Sequence, residues 1–424
     1  MSVEASTNEI IPPDMDLTVP RANADPWPKL KAIQDADPVF WSDHQRAWFV
    51  SRHEDVRAGM MDRRLSADRV TFLFGALPDE LKKKYEPILF YFPQWVVLMD
   101  APEHTRVRKL LLQGFTKPII DGLGDFTQGV VDELLDEVEA KGTVEYVTEY
   151  AFKLPAYVIM HMLGVPRNMF DEFKVWSLDM ARLIGAPVPS LELMDKALDA
   201  LNDMNVAFRQ LIAERRAEPQ DDMLTALVHA TDADDKLSED ELLASCQVLM
   251  LAGHETTINM LGNGLLELIR DRERWEQLRD HPEIAPAAIE ELLRLNNVVG
   301  SLVREVLEDF EWHGKQLKKG DVVYLMNYAA NRDPRVYDDP DTLDFERKNK
   351  FPLSFGPGIH FCLGNQLARM ELEKSFVAIV NRFEKVEILD DKLDWNNSIV
   401  LRGLNSFNVK FIPRSGRQSR DAAE

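Results

Sequence analysis

Cysteine is nearly absent from this chain. Its 424 residues include two, Cys246 and Cys362, far apart in sequence. That excludes a disulfide framework and points to a reducing compartment. A basic, apolar leader is also missing, since Glu4, Glu9, Asp14 and Asp16 occupy the first stretch. No apolar run approaches the roughly 20 residues of a membrane span. Positive charge is scarce: 50 Lys and Arg stand against 72 Asp and Glu, a formal net charge of −22. This disfavours nucleic acid and anionic membranes as partners. Basic residues still gather locally, at Arg347, Lys348 and Lys350 and at Arg106, Arg108 and Lys109. Gly/Ser linkers, Pro-rich spacers and internal repeats are lacking too. The expectation is a soluble cytoplasmic protein with one large domain over 25–412. Residues 1–24, with Pro12, Pro13 and Pro20, are expected to be flexible or loosely docked, and 413–424 a disordered tail.

What remains is ordinary globular material: 45% hydrophobic and 29% charged, in a chain long enough to enclose a cofactor. Helical periodicity dominates. It predicts helices from Pro26, near His53–Met61, from Ala101 with proline in the first turn, and through 119–231. Breaks fall at Gly142, Pro166, Pro187, Pro189 and Pro219, and Gly185–Pro189 joins two helices that lid a pocket. Ser238 and Glu241 form a capping-box pattern that opens a long helix to about Ile269. β-prone runs are short: a hairpin of Val39–Trp41 with Ala47–Val50, then Ser301–Val306, Phe310–Trp312, Val322–Met326 and strands within 385–412. The class is mainly α with a small β region. Residues 62–98 look irregular, and Phe72, Phe74, Phe90, Tyr91, Phe92 and Trp95 serve there as core cover or as a cavity wall.

Four stretches carry chemistry. The first is Phe355-Gly356-Pro357-Gly358-Ile359-His360-Phe361-Cys362-Leu363-Gly364. Its glycines allow a tight fold and close approach to a flat ligand, and a helix start beneath the sulfur favours thiolate. Cys362 reads as a thiolate metal ligand, with a buried structural cysteine as the plain alternative. In the second, Ala252-Gly253-His254-Glu255-Thr256-Thr257, two small residues mid-helix admit a flat cofactor or O₂. Thr256 reaches the Ala252 carbonyl, and Glu255 beside a hydroxyl can relay protons; otherwise this is an ordinary helix with one glycine. In the third, His104 and Arg108 share a helix face, to grip an anion or to meet solvent. In the fourth, Glu291 and Arg294, three apart, make an ion pair.

The stretch 355–364 resembles the haem-binding loop of the cytochrome P450 family, Phe-Gly-x-Gly-x-His-x-Cys-x-Gly, with every fixed position filled. The resemblance spans roughly 25–412, with several motifs in the family's order. It implies a single-domain P450 fold, a triangular helical prism enclosing haem b, with Cys362 as the iron ligand and Phe355, Gly356, His360 and Gly364 completing the loop. The 101–108 segment resembles the family's Glu-His-Thr-Arg-x-Arg helix, which assigns His104 and Arg108 to a haem propionate; Arg304 also reaches a propionate. Residues 252–256 resemble the O₂-activation motif. The implied roles are proton delivery for Glu255 and stabilisation of oxygen at the iron for Thr256, with Ala252 and Gly253 beside the haem. His254 falls at a variable position and is not expected to bind iron. Glu291, Arg294 and Arg347 match the family's structural Glu-x-x-Arg and meander residues.

By position, Val248, Leu249, Ala252, Val298, Val299 and Leu401 line a distal cavity with parts of 72–98. They are mostly aliphatic, so the expected substrate is an apolar small molecule: fatty acid, terpenoid, steroid or macrolide-like. The implied enzyme is a monooxygenase that hydroxylates or epoxidises it with O₂ and two electrons. No flavin or ferredoxin pattern follows residue 412, so a ferredoxin and an NAD(P)H-dependent ferredoxin reductase are expected as partners. The ferredoxin would dock near Cys362 over the basic side chains. Three positions depart from the family pattern: Pro352 replaces a common histidine, Leu343 a phenylalanine, and Leu295–Gly300 a proline after the Glu-x-x-Arg helix. The third lies where the family often contacts substrate. A peroxide-driven enzyme and a non-enzymatic haem protein are the rival readings, and both leave Glu255 and Thr256 without a purpose.

Overall fold

One long helix of this protein runs through the middle of the others. The computed structural model describes residues 24–70, 74–75, 77–186, 189–232, 235–348, 352–396 and 398–414. The expected N-terminal segment (apart from Ala24), Phe72, Pro187, Lys350 and the tail beyond Arg414 lie outside them. The elements used below are α1 (Trp27–Ala36), β1 (Val39–Ser42), β2 (Ala47–Val50), β3 (Leu65–Ser66), α2 (Glu103–Leu111), α3 (Lys117–Lys141), β4 (Thr143–Glu145), α4 (Lys153–Met162), α5 (Phe170–Gly185), α6 (Leu191–Ala217), α7 (Glu239–Arg270), α8 (Ala285–Leu295), β5 (Leu302–Val306), β6 (Val322–Leu325), α9 (Asn365–Arg382), β7 (Phe383–Ile388) and β8 (Asn408–Pro413).

The predicted capping box is formed. Ser238 Oγ accepts from the Glu241 amide at 3.2 Å, and Glu241 Oε2 accepts from the Ser238 amide at 2.8 Å, which satisfies two otherwise orphaned donors at the start of α7. Residues from Leu242 to Leu251 are buried without a polar face, the pattern of a helix surrounded by others. Helices α4, α5, α6 and α9 all pack on it. α3 stops at Gly142, whose φ of +71° suits a residue without a side chain.

The β-structure lies to one side. Five strands run in the order β1-β2-β6-β5-β3. The predicted hairpin pairs Val39 with Val50, and β6 joins it in parallel, Val322 opposite Ala47. A second sheet, β7-β8-β4, ties the end of the described chain to the end of α3. The main core follows α7, and smaller clusters flank the five-stranded sheet. Among the described residues no helix is long and apolar enough to cross a membrane.

Three expectations change. Pro102 precedes α2 as its cap and does not stand in the first turn. The stretch 62–98 contains helices Asp79–Lys84 and Glu86–Tyr91 and two 3₁₀ turns; six-residue helices are too short to show an apolar period. Its aromatics are mainly core cover: Phe74, Phe92 and Trp95 are buried, and the Trp95 indole donates to Gln247 Oε1 at 3.0 Å. Order also continues past 412, since Pro413 ends β8 and the Arg414 amide donates to the Arg382 carbonyl.

Candidate functional site

Between Phe355 and Gly364 the chain doubles back on itself. The Cys362 amide donates to the Phe355 carbonyl at 2.9 Å, and the Gly356 amide to Leu353 at 3.0 Å. Gly356 and Gly358 adopt φ values of +65° and +72°, which side chains resist. The Asn365 amide group donates to the Cys362 carbonyl at 2.7 Å. Arg369 lies over the Phe355 ring, 4.4 Å from its centre, and pairs with Glu290. Arg108 from α2 donates to the Phe361 carbonyl. The loop is thus fixed from both sides before α9 begins.

Burial lifts the Cys362 thiol above its ordinary pKa; the Gly364 amide, Arg108 and Arg369 pull it back by less. The amide at the helix start favours thiolate, as its position predicts, and burial opposes it by more. A coordinated cation is what displaces such a proton.

Cys362 stands on the wall of a cavity of about 290 Å³. Phe355, Gly356, His360 and Gly364 share that wall, with Ala252, Gly253 and Thr256 from α7 and His104, Arg108 and Arg304 from other elements. The aliphatic lining includes Val248, Leu249, Val298 and Val299. Leu401 is not on the wall; its backbone bridges to Val299 and so supports the lining from behind. Glu255 also stands off it. Its carbonyl and Oε1 accept from Asn259 Nδ2 at 2.9 and 3.4 Å, and burial raises its carboxyl pKa. Thr256 Oγ1 donates to the Ala252 carbonyl at 3.1 Å, as its spacing predicts. Gly253 has a further reason to lack a side chain: a Cβ there would come within 2.9 Å of Ile159 on α4.

Sequence reasoning missed Arg69 and Ile159, both on the wall; Val97 and Asn297, also there, fall in stretches it assigned to the cavity or to substrate contact. Arg69 follows strand β3 and belongs to no motif, so only the fold reveals it. Burial lowers its guanidinium pKa. It lowers that of Arg304 to about 10, with Arg69 adding repulsion. His360 is pushed down to about 3 by burial, then by Arg304, His104 and Arg108; His104 is lowered by burial and Arg108. The two imidazole rings lie 4.3 Å apart, and neither ring nitrogen of His104 has a partner. Among the described residues the wall therefore carries three guanidiniums and two neutral imidazoles, and no carboxylate.

Glu291, Arg294 and Arg347 form one buried cluster. Arg294 grips Glu291 with two bonds of 2.8 Å, and Arg347 Nε reaches the same carboxylate at 2.9 Å. Arg294 also donates to the carbonyls of Asn331 and Pro340, which joins α8 to the segment leading into the cysteine loop.

His254 points away from this chemistry. Its ring packs edge-on between Phe152 and Phe173, 5.2 Å from each, and Nδ1 lies 3.1 Å from the Met250 carbonyl. Burial pushes its pKa down from 6.5 to about 4. The unfolded chain therefore takes up a proton below 6.5 that the folded chain refuses until about 4, so stability is lost as pH falls through that window. His254 should account for about 2 kcal/mol of the loss between pH 7 and pH 5. Urea unfolding at both pH values, in wild type and His254→Leu, checks this; an equal pH dependence in the two proteins contradicts it.

The expected basic patch is smaller in the structure than in the sequence. Arg347 is buried, and Arg106 is engaged by Glu241 and Asp235. Lys109 and Lys348 are exposed.

A cavity with one cysteine and a ring of donors on its wall describes a haem-thiolate protein, and comparison with known proteins gives the same class. The Cytochrome P450 family profile matches residues 78–284 and 280–410. The polyketide biosynthesis cytochrome P450 PksS of Bacillus subtilis is 33% identical over 393 residues, covering 91% of this chain and 95% of that protein. The vitamin D(3) 25-hydroxylase of Pseudonocardia autotrophica is 34% identical over 403 residues, 92% of this chain and 94% of the relative. The crystal structure of P450BioI with a hexadec-9Z-enoic acid ligated acyl carrier protein superposes with a TM-score of 0.84 at 28% identity, over 92% of this chain and 99% of that one. This chain belongs to the cytochrome P450 family, and it is a monooxygenase of that family.

The family implies a haem, and the residues present fit one. Among the described residues no three metal-ligating side chains converge, so Cys362 suits a metal that brings its other ligands with it. The unpartnered His104 nitrogens and the guanidiniums facing the cavity suit the carboxylates of such a group.

Proposed function

We propose that this monooxygenase hydroxylates or epoxidises an apolar small molecule, with haem b held by Cys362 and electrons supplied by a ferredoxin and its NAD(P)H-dependent reductase. The observation that carries the reading is a single cavity whose wall holds Cys362, Thr256 and an aliphatic lining. Bound haem supplies the oxygen activation, with the thiolate pushing electron density onto iron. The chain's own residues do the rest. His104, Arg108, Arg304 and His360 hold the haem carboxylates. Val248, Leu249, Val298 and Val299 exclude water and orient a C–H bond, so the site needs no acid or base aimed at the substrate. Glu255, whose carboxyl pKa burial raises, passes a proton towards the Thr256 hydroxyl.

Relatives with names such as vitamin D(3) 25-hydroxylase, and structures solved with testosterone or with a fatty acyl carrier protein, support an apolar substrate. An apolar patch beside the cysteine loop supports the partner. Ile359 and Phe361 are 48% and 40% exposed, and Arg108 brings α2, with Lys109, against them. Exposed apolar side chains rimmed by lysine suit a small acidic protein.

Thr256→Ala should leave NAD(P)H consumption running while product per electron falls severalfold. Reconstitution with a ferredoxin and reductase, on a substrate found by spin-state change, measures both. Equal coupling in the variant removes the role of Thr256. Turnover with peroxide but none with ferredoxin overturns the partner.

A further inference from the structure

The cavity wall holds more cationic side chains than the haem carboxylates use. His104, Arg108, Arg304 and His360 serve those carboxylates, and Arg69 remains on the same wall. Among the described residues, Arg69 makes no ion pair and no side-chain hydrogen bond. The Tyr324 phenol stands near it, and Arg304 is close enough to repel it. Arg69 is half-buried, and the space it opens onto is the cavity.

The turn that carries Arg69 engages the acids beside it. Asp68 Oδ1 accepts from the Val70 amide at 2.8 Å, and the Asp68 amide donates to Ser66 Oγ at 3.0 Å. Asp100 accepts from the Ala67 amide at 3.0 Å and from the Ser66 hydroxyl, and its field falls on Arg304. Pairing of β3 with β5, Leu65 opposite Val306, fixes where this turn sits. A guanidinium without an acid beside it is costly to enclose, and an anion entering the cavity offsets that cost. Elsewhere the wall offers Val248, Leu249, Val298 and Val299. One guanidinium facing an aliphatic lining matches a molecule with an apolar body and one carboxylate.

We propose that Arg69 anchors a carboxylate of the substrate, so that this monooxygenase acts on an apolar acid held by its charged end. The planar guanidinium takes both carboxylate oxygens, while the aliphatic wall covers the hydrocarbon. Arg69 thus sets specificity and takes no part in bond making. A haem carboxylate is the other source of the same chemistry, and the test separates the two. The proposal deepens the proposed function and rests on it for the reaction, though not for the binding.

The probes are straight-chain acids from octanoic to hexadecanoic, with 1-adamantanecarboxylic and 2-naphthoic acids, each beside its own methyl ester. Titration of the haem-loaded full chain, followed by the spin-state change, gives a dissociation constant for each. In wild type the acids that fit should bind about tenfold or more tightly than their esters, a factor that one enclosed charge pair supplies. Arg69→Gln should erase that advantage by weakening the acids and sparing the esters, with haem content and the reduced carbon monoxide spectrum unchanged. Equal binding of acid and ester in wild type overturns the proposal, as does a panel in which no acid shifts the spin state. An advantage that survives Arg69→Gln overturns it too. Loss of haem from the variant assigns Arg69 to a haem carboxylate and overturns the substrate anchor. If the Gln variant fails to fold, Arg69→Lys keeps the charge without the planar fork: a reduced acid advantage supports the anchor, and a full one overturns it. Acid preference in a wild type that turns over nothing with ferredoxin would leave the anchor standing while the monooxygenase reading fell. Turnover of acids and esters without preference would do the reverse.

Discussion

Replacing Cys362 by serine should abolish the strongly red-shifted Soret band of the reduced, carbon monoxide-bound protein and bring turnover to background. The hydroxyl fits the loop, because the hydrogen bonds that shape it use the backbone of Phe355, Gly356 and Cys362 and the side chain of Asn365. What is lost is the sulfur. Burial already holds the thiol above its ordinary pKa, and a serine hydroxyl is far harder to ionise, so a metal gains no comparable anionic ligand. Haem retained without the red-shifted band, in the variant alone, is the expected outcome. The same absence in wild type would mean another ligand or a protonated thiol, and the monooxygenase mechanism would lose its basis. A variant that kept the band would show that Cys362 is not the ligand.

Removing Glu291 should be the most damaging change away from the cavity. Its carboxylate is 5% exposed and is shared by Arg294 and Arg347, themselves 2% and 8% exposed. It also accepts from the Asp344 amide at 3.1 Å. Glu291→Ala strands two guanidiniums in the interior, and breaking a buried pair in this way costs about 3–5 kcal/mol. That is a large share of the roughly 5–15 kcal/mol by which folded domains are stable. Soluble yield should collapse, and what remains should unfold at markedly lower urea and release haem readily, because the cluster joins α8 to the segment before the cysteine loop. Arg347→Lys should be milder than Glu291→Ala, since the charge persists while the planar fork that meets Thr342 and Asp339 is lost. A loss below about 1 kcal/mol for Glu291→Ala would place these charges among ordinary solvated pairs.

Much of this protein was legible in its residues because the relevant physics is local. The capping box of α7, the back-bond of Thr256 to Ala252 and the left-handed glycines around Cys362 each depend on neighbours within a few positions. The hairpin and the long helices follow from apolar spacing. The motif in 355–364 fixes a loop before any fold is known, and its order with the other motifs identified the family.

Other features required the folded chain, since they depend on groups distant in sequence. Arg69 reaches the cavity because β3 pairs with β5, and nothing beside it in sequence predicts that. Leu401 was expected on the wall and instead pairs behind Val299. Arg106 reads as surface charge and proves to be engaged by carboxylates. Local sequence determined the helices, their caps and the shape of the cysteine loop. Tertiary packing alone decided which charges are desolvated: it lifts the Cys362 thiol, drives His360 to about 3 and His254 to about 4, because the cost of burying a charge depends on the surroundings that the whole fold assembles.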